Sequence, residues 1–594
     1  MNDPSNYEPR ALVIGDPHGY FLEQLNIEGI GYICCSGGIQ DFKKKTELVV
    51  LIKNEISREE CVFFKDYLNQ GGNLLIINPS SHVCRLFEFN IKGLLNSGYL
   101  TCKAKNFPAG FYPIMNAVQL KINREYKSIC PLLGENKNST GYDSIFKIKR
   151  GKGHIGVIAF DLFKTFYQIT HGHDVTYENS NSPILRVDDG RVIKISEMNV
   201  PAADIMRSIV VNMILDFINC PVPKLWYFPE GCRSALCITH DSDNTSNRDI
   251  REINEIDKEL GISTTTFMSI FNGGIRSWRD FLVNGLDLQF HPVQLYRYHP
   301  GRIMNVLQRK IAANKIFLKF QQLFFIAQRF LFHLLANKTT KGVRFHGLQW
   351  NKLTDQPLWM SCVKTNFDST LGSNYYYGYH YGSGKPYFLR HPESYRNLDV
   401  LEFPMHLMDS AFVRKYGSKN WIKEYFNKVK RFLNDGINQY FPLVVINLHH
   451  YVLLDRLKNI KTSSTKNNDY HEGDLKKEAI DSYSELINYS KQLNIKIESM
   501  SYFNDFWRKR WKVRIRQLAW DDKKKELNYQ ILLNNNKYIY SQILPFKFKK
   551  LQLKEIFIDE EKSDFKTILI YNSPYAMFQV KKEPINLNVK ARYL

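Results

Sequence analysis

The sequence predicts an α/β protein with three regions: an N-terminal doubly wound α/β domain, a central (β/α) barrel and a small C-terminal β-sandwich. The length of 594 residues corresponds to roughly three to five domains at the usual size of ~150 residues. Short apolar runs alternate with helical stretches over most of the chain, which is typical of α/β folds. The last part of the chain instead contains short β-rich segments separated by turns, which favours an antiparallel arrangement there.

Residues 1–219 are assigned to the doubly wound domain. The runs ALVIG, LVVLI and NLLIIN are continuously apolar, as strands of a buried parallel sheet are. The helical stretch SREECVFFKDYLNQ ends at Gly71 and Gly72, directly before the strand NLLIIN, as a helix stop requires. We therefore expect a largely parallel sheet with helices on its faces.

Residues 220–513 are assigned to the barrel and residues 514–594 to the sandwich. The segment CPVPKLWYFPEG at 220–231 has three prolines, cannot continue a helix and indicates a linker. After it, strands such as ALCITH, LDLQFH and PLVVINLHH repeatedly precede helices or long loops, which predicts a (β/α) barrel. Segments such as ELNYQILLNN and KTILIYN predict the sandwich.

Composition and charge limit the classes of function. A chain with 44% hydrophobic and 24% charged residues is neither wholly disordered nor a multi-span membrane protein. The net charge of +22 predicts attraction to polyanions. Because the lysines are spread along the chain and no nucleic-acid-binding motif occurs, we expect no nucleic acid partner. The cysteines lack CxxC spacing and the first ten residues lack a secretory pattern, which predicts a cytoplasmic location.

Polar residues follow several predicted barrel strands. Thr239-His240-Asp241-Ser242-Asp243 comes directly after ALCI, so its two carboxylates can point into one cleft, one to bind a cation and one to accept a proton. An Asp-rich turn that caps the next helix is the alternative. His291, His346 and His449 also follow strands. A lone histidine is more often a packed side chain than a ligand, yet these recur where a barrel places its catalytic groups.

The order of these motifs resembles the polysaccharide deacetylase (NodB-homology) superfamily, in a divergent branch, over about residues 230–510. Its catalytic unit is a metal-dependent deformed (β/α) barrel. THDSD resembles the branch's Thr-His-Asp-x-Asp motif, which implies Asp241 as the base and Asp243 as a metal ligand. FHP and GVRFHGL resemble the next two motifs and imply His291 and His346 as further ligands. Such a mixed oxygen and nitrogen set suits a divalent metal, zinc above all.

Further segments extend the resemblance. DSTLG at 368–372 and the GYHYGS that follows resemble two later motifs of the branch, with His380 in place of the family's arginine that steadies the base. Asp409 in LEFPMHLMDS resembles the fourth motif, and His449 stands where the family has its general acid. We assign Arg344, His380 and Asp409 to substrate binding.

The resemblance implies hydrolysis of an amide or ester in an acetylated saccharide or glycan intermediate. The alternative is a catalytically inactive barrel that binds a glycan or scaffolds a polysaccharide-assembly system. Residues 1–219 weakly resemble class I glutamine amidotransferase-like domains. Because Pro79-Ser80-Ser81-His82 and the later Cys84 lack the glycines of a nucleophile elbow, we expect this domain to be non-catalytic.

An insertion at 301–341 separates the second and third motifs. Residues 315–337, KIFLKFQQLFFIAQRFLFHLLAN, have polar positions at helical spacing and an apolar arc. This arc predicts either peripheral membrane binding or packing on the barrel or on a twin subunit.

Overall fold

A computed structural model describes most of the chain and divides it into two compact units. The described residues are 10–43, 46–53, 55–102, 107–174, 186–243, 245–271, 285–293, 315–336, 340–350, 353, 355–456, 475–533, 537–580 and 586–594. The first unit comprises Met1–Tyr167, Ala202–Gly231 and Arg508–Leu594, and the second comprises Gln168–Pro201 and Cys232–Trp507. The domain boundaries at 219 and 513 stay predictions, since both units are assembled from separated stretches of chain.

The first unit contains a nine-stranded mixed sheet. Its strands are β1 (Ala11–Ile14), β2 (Cys34–Ser36), β3 (Leu48–Leu51), β4 (Asn73–Ile77), β5 (Asn90–Leu100), β6 (Tyr112–Lys121), β7 (Lys127–Leu133), β8 (Ser139–Arg150) and β9 (Gly153–Ile158). Their spatial order is β2-β1-β3-β4-β9-β8-β7-β5-β6. The first five strands of that order are parallel, and the short apolar strands among them are buried, as the sequence predicts.

The other four strands extend the sheet in antiparallel fashion. The prediction of a largely parallel sheet therefore holds for only part of it. β5, β6 and β8 have ten to twelve residues each, and β5 and β8 alternate between more and less exposed positions. Antiparallel strands can be joined by short hairpins and can face water on one side, whereas parallel strands need longer crossover connections.

The helices in the first part of the chain are α1 (Tyr20–Ile27), α2 (Arg58–Asn69), α3 (Ser81–Leu86), α4 (Leu162–His171) and α5 (Ala202–Leu215). Helix α2 begins with a capping box, in which the Ser57 hydroxyl accepts from the Glu60 N–H and the Glu60 carboxylate accepts from the Ser57 N–H. It ends before Gly71, whose φ of +103° suits glycine. Strand β10 (Lys224–Leu225) follows in the proline-rich segment.

The second unit contains the predicted barrel. Its strands are β11 (Ala235–Asp241), β12 (Thr265–Met268), β13 (Asp287–Phe290), β14 (Gly342–Val343), β15 (Phe367–Asp368), β16 (Tyr387–Arg390), β17 (Asn397–Glu402), β18 (Leu407–Met408), β19 (Leu443–Asn447) and β20 (Lys496–Ile497). The order is β16-β17-β15-β14-β13-β12-β11-β19-β18, with β20 beside β11.

The strands from β17 to β18 along this order form a parallel run. Residues 403–406 join β17 directly to β18, so the two ends of the run lie on one continuous segment. The sheet is therefore curled into a deformed (β/α) barrel, as predicted. The carboxyl ends of its parallel strands gather at one mouth, where this fold class places its functional groups.

The remaining helices are α6 (Asn247–Glu259), α7 (Lys315–Ala336), α8 (Asp355–Cys362), α9 (Asp409–Asp435), α10 (His450–Leu453), α11 (Lys476–Gln492) and α12 (Met500–Arg510). Helix α7 forms most of the predicted segment 315–337, whereas residues 301–314 and 337–339 of the insertion lie outside the described residues. None of the helices within the described ranges is long and apolar enough to cross a membrane.

The C-terminal segment forms two antiparallel sheets in the first unit. Its strands are β21 (Arg514–Asp521), β22 (Glu526–Leu532), β23 (Tyr540–Pro545), β24 (Lys547–Phe548), β25 (Leu551–Ile558), β26 (Glu561–Ser563), β27 (Lys566–Ile570), β28 (Ser573–Val580) and β29 (Asn586–Tyr593). The sheets run β10-β23-β28-β27 and β21-β22-β29-β25-β24, with β26 beside β25. The buried Tyr529 hydroxyl donates to Gln542 at 2.7 Å between them, which gives the predicted sandwich.

Candidate functional site

Three candidate metal ligands lie together at the barrel mouth. Asp243 comes two residues after β11, His291 directly follows β13, and His346 lies three residues beyond β14. Neighbouring parallel strands end at the same edge, which brings these side chains within reach of one another. Their ligand atoms lie within 4.8 Å of one another. The Asp243 carboxylate is 2.7 Å from His346 Nε2 and 3.6 Å from His291 Nε2.

The chemistry of this cluster suits a cation. His291 Nδ1 lies 2.6 Å from the Arg344 carbonyl oxygen, and a carbonyl can only accept, so Nδ1 carries a proton and Nε2 is the ring nitrogen that faces Asp243. Among the described residues, this buried Nε2 has no hydrogen-bond partner, a costly state that a bound metal would relieve. Burial raises the pKa of Asp243, but His346 and His291 hold it well below its usual value. Two imidazoles and one carboxylate fit a divalent metal.

Asp241, at the end of β11, has a donor on each carboxylate oxygen. Arg344 Nη1 donates to Oδ1 at 3.0 Å and Asn447 Nδ2 donates to Oδ2 at 3.0 Å. Burial raises the pKa of Asp241, but the charges of Arg344, His291 and His449 outweigh it and leave the pKa below its usual value. The carboxylate is therefore ionised at neutral pH, with its orientation fixed.

Arg344 does not reach the surface. Its side chain is fully buried and also donates to Thr239, Asn447 and Ser369 at 2.8–3.0 Å. This guanidinium therefore positions Asp241, and the substrate contact assigned to Arg344 from the sequence stays a prediction. Its planar fork of donors suits it to hold several fixed acceptors at once.

His449 and Asp409 form a second buried unit at the mouth. His449 Nδ1 lies 2.7 Å from Asp409 Oδ1, and the His449 backbone N–H donates to Oδ2 at 2.5 Å. Burial lowers the pKa of His449, but Asp409 and the more distant Asp241 and Asp243 raise it to about 9. The ring is therefore an imidazolium at neutral pH. Asp409 is fully buried and orients His449, and the substrate contact assigned to it stays a prediction.

His380 occupies a different environment from the one predicted. It is buried, and burial, with Arg191 and His406 nearby, lowers its pKa well below the usual value. The substrate contact assigned to His380 stays a prediction. Arg344, directly after β14, places a guanidinium beside Asp241, where the resemblance implies an arginine at position 380.

Two polar residues of the site were in the quoted motifs but received no role from the sequence. Thr239 and Asn447 pair across β11 and β19, and the Thr239 hydroxyl lies 3.0 Å from Asn447 Oδ1. Their position at the ends of two adjacent apolar strands is the signal that could have identified them. Together they hold Arg344 and Asp241 in one hydrogen-bond network.

Two exposed aromatic rings follow Asn374, which contacts the segment after His346, and the sequence analysis gave them no role. Tyr375 and Tyr376 are 49% and 37% exposed. The neighbouring Asn374 side chain donates at 3.1 Å to the carbonyl of Gly347, the residue after His346. Arginine guanidinium groups lie 5.0–5.5 Å from the two ring centroids. Rings and cations in this arrangement can contact a polar, ring-shaped ligand.

The first unit offers no comparable nucleophile at the predicted elbow. Ser80 accepts from the Val83 N–H at 3.3 Å and so caps α3. Cys84 lies within that helix and is 1% exposed. Burial raises the pKa of its thiol to about 11, so this group is neutral at physiological pH.

Comparison with known proteins gives matches among solved structures only. No family model matches the chain, and no curated protein matches it. The structure of Agd3, described as a carbohydrate deacetylase, aligns over 98% of this chain and 98% of its own at 8% identity and a TM-score of 0.38. A structure described as a polysaccharide deacetylase from Mycobacterium smegmatis covers 49% of this chain and 93% of its own, at 15% identity and a TM-score of 0.31.

A second such structure, from Pseudomonas aeruginosa PAO1, covers 47% of this chain and 93% of its own, at 12% identity and a TM-score of 0.31. Other matched structures are an allantoinase and several β-galactosidases.

Proposed function

We propose that the second unit is a metal-dependent deacetylase that hydrolyses an amide or ester of an acetylated saccharide. The observation that supports this most directly is the meeting of three groups at one barrel mouth: the Asp243, His291 and His346 cluster, the ionised Asp241 and the protonated His449. Hydrolysis of an acyl group needs a cation or oxyanion donor, a base and an acid in one site. These side chains supply all three.

The protein's own groups divide the proton transfers. A divalent ion on Asp243, His291 and His346, zinc being our proposal, would polarise the acyl carbonyl and make water easier to deprotonate. Asp241, which Arg344 holds in place, accepts a proton from the attacking water. His449 donates its Nε2 proton to the departing sugar nitrogen or oxygen, because Nδ1 is held by Asp409. Each charge favours the ionised form of the other, as an acid and base pair requires.

A saccharide is the proposed substrate class because of the exposed rings near the cluster. Tyr375 and Tyr376 can stack on a sugar ring while the adjacent arginines contact its hydroxyls or an acidic substituent. A panel of acetylated saccharides would identify the glycan and would show whether the acetyl group is on nitrogen or on oxygen.

Acetate release from a panel of N-acetylated and O-acetylated saccharides tests the proposal. We expect release by the metal-loaded protein, and a fall in kcat of about 10²–10⁴-fold in Asp241→Asn and in His449→Ala. Asp435→Asn is the matched control, because this carboxylate is 52% exposed at the far end of α9. Activity that survives Asp241→Asn at the original rate would show that the base is wrong.

Metal content separates the site from the reaction. Asp243→Ala and His291→Ala should each lose most of the bound metal while the circular dichroism spectrum is kept, and Asp435→Asn should retain it. Unchanged stoichiometry in both alanine variants would remove the ligand assignment. If metal and glycan binding persist without acetate release from any saccharide, the protein is a glycan-binding or scaffolding module instead.

A further inference from the structure

Helix α7 exposes a continuous apolar stripe, here called the α7 seam. It consists of Ile316, Phe320, Leu323, Ala327, Phe330 and Leu334. The five large residues of the seam are 58–78% exposed. Large apolar side chains at this exposure are unusual in a row, because a soluble surface rarely holds a contiguous apolar patch of this extent without a partner.

The opposite side of α7 already packs on the barrel. Phe325 and Phe332 lie 5.9 and 5.3 Å from the ring of Phe290. The Gln328 side chain makes two hydrogen bonds, at 2.8 and 3.1 Å, with the backbone of Val293. The helix is therefore fixed by its inner side, and the α7 seam cannot turn inward without breaking these contacts.

The spacing of the α7 seam is that of a helix-pairing surface. Successive seam residues are four and three positions apart in strict alternation, the repeat that lets two helices pack side by side over several turns. The seam is also balanced about position 325, so that reversal of the helix pairs these residues: Ile316 with Leu334, Phe320 with Phe330, and Leu323 with Ala327. A twofold-symmetric interface requires this kind of self-complementary surface.

We propose that two copies of the chain associate by antiparallel packing of their α7 seams across a twofold axis. The large Leu323 would lie against the small Ala327 of the other copy, and aromatic would face aromatic at 320 and 330. With ~150–250 Å² for each large side chain and exposed fractions of 58–78%, the five large seam residues offer on the order of 600 Å² of apolar surface per copy. Stable interfaces bury about 800 Å² per partner, so the seam supplies most of one.

A lipid surface is the less suitable occupant. Helices that lie on anionic membranes have rows of lysine and arginine beside the apolar face. Among the described side chains of α7, Lys319 is the exposed cation, whereas Arg329 is buried and donates to the Thr340 carbonyl at 3.0 Å. Among the described side chains of α7, the seam therefore has the apolar character that a second helix needs, with Lys319 as its one exposed neighbouring cation.

Sedimentation equilibrium of the full chain tests the pairing. We expect a mass of twice 69.7 kDa at micromolar concentration. Phe320→Glu and Phe330→Lys should each weaken the dimer by at least about a hundredfold, because an apolar contact is lost on both sides of the axis. In the double variant Phe320→Glu/Phe330→Lys, antiparallel packing brings Glu against Lys, so the dimer should regain much of its affinity. Parallel packing would set like charges together and weaken it further.

Leu94→Glu is the control, since Leu94 is 73% exposed in the first unit and should not change the mass. Unchanged thermal transitions would show that the seam variants remain folded. A monomer at every concentration overturns the proposal. Flotation with anionic liposomes that Phe320→Glu abolishes, in a chain that stays monomeric, would assign the seam to membranes.

Discussion

The ion pair between His449 and Asp409 sets which group at the barrel mouth can give up a proton. Asp409 is the first residue of α9, and His449 follows β19, so two elements fix the pair. Both side chains are buried, and burial alone would make the imidazole neutral. The carboxylate reverses this and raises the pKa of His449 to about 9. The acid therefore remains protonated throughout the physiological range.

Asp409→Asn tests this at the residue scale through a pH profile. With Asp409 present, His449 is protonated below its pKa, so kcat/KM should fall as pH rises through about 9. Removal of the carboxylate lowers the pKa of His449, and the basic limb should move to lower pH by about one to three units. The profile of acetate release against pH measures the shift. A lower rate with the limb in its original place would mean that His449 is not the acid.

The sequence predicts which residue types gather at this site better than it predicts what each one does. Asp241, Asp243, His291 and His346 lie where strand-end position and motif order suggest. Arg344 and Asp409, however, were assigned to substrate, because a sequence does not show which polar groups will be fully enclosed. Whether a charged side chain contacts substrate or another side chain depends on burial, which arises only when distant strands meet.

At the scale of elements, strand pairing creates a buried carboxyl pair. β15 and β17 are adjacent and parallel, with Asp368 opposite Glu402, and both side chains are fully buried. Burial raises the pKa of Asp368 to about 6. Burial and the charge of Asp368 raise the pKa of Glu402 well above its usual value. The pair therefore favours a proton on Glu402 over a second negative charge beside Asp368.

Glu402→Gln should remove a pH dependence of stability in β15 and β17. A carboxyl group whose pKa is raised in the folded state stabilises fully below its unfolded pKa and loses that contribution as pH rises toward the folded value. The amide keeps a donor for Asp368 but does not titrate. We expect the variant to gain more than about 1 kcal/mol relative to the original protein between pH 5 and pH 8. Hydrogen exchange of peptides from the two strands measures this, and a difference independent of pH would contradict it.

The elements themselves differ in how well the sequence predicts them. Buried strands such as β3 and β19 are short, continuous apolar runs, and such a run can be recognised from local sequence alone. The antiparallel extension from β5 to β8 was missed because its residues alternate and include polar and glycine positions, a weaker pattern. β10 has only two residues between prolines, and its pairing depends on β23, more than 300 residues later.

At the scale of the whole molecule, residues far apart in sequence complete the first unit. Arg510 is fully buried, and its guanidinium donates to the backbone carbonyls of Asn26, Ile27, Leu225 and Trp226 at 2.7–3.2 Å. Composition and periodicity predict three successive regions, yet these bonds join the start, middle and end of the chain. No local pattern shows that a guanidinium at 510 will satisfy carbonyls at 26 and 225, because the match exists only in the folded state.

Arg510→Ala should therefore destabilise the first unit strongly. Four carbonyl oxygens would lose the Arg510 donor, of which the Asn26 oxygen keeps the Gly29 N–H at 3.0 Å, and a buried polar group without a partner costs about 1–3 kcal/mol. Even if water replaces some of these bonds, we expect a loss of about 3 kcal/mol or more, seen as faster hydrogen exchange in peptides around residues 26 and 225. Arg514→Ala is the control, because Arg514 is exposed and bonds only to the nearby Trp511 and Val513 carbonyls among its described contacts. Equal exchange in the two variants would mean that Arg510 does not hold these segments together. A selective loss in Arg510→Ala would show that the C-terminal segment contributes to the stability of the first unit. A chain cut at 513 would also lack β23, the strand that pairs with β10.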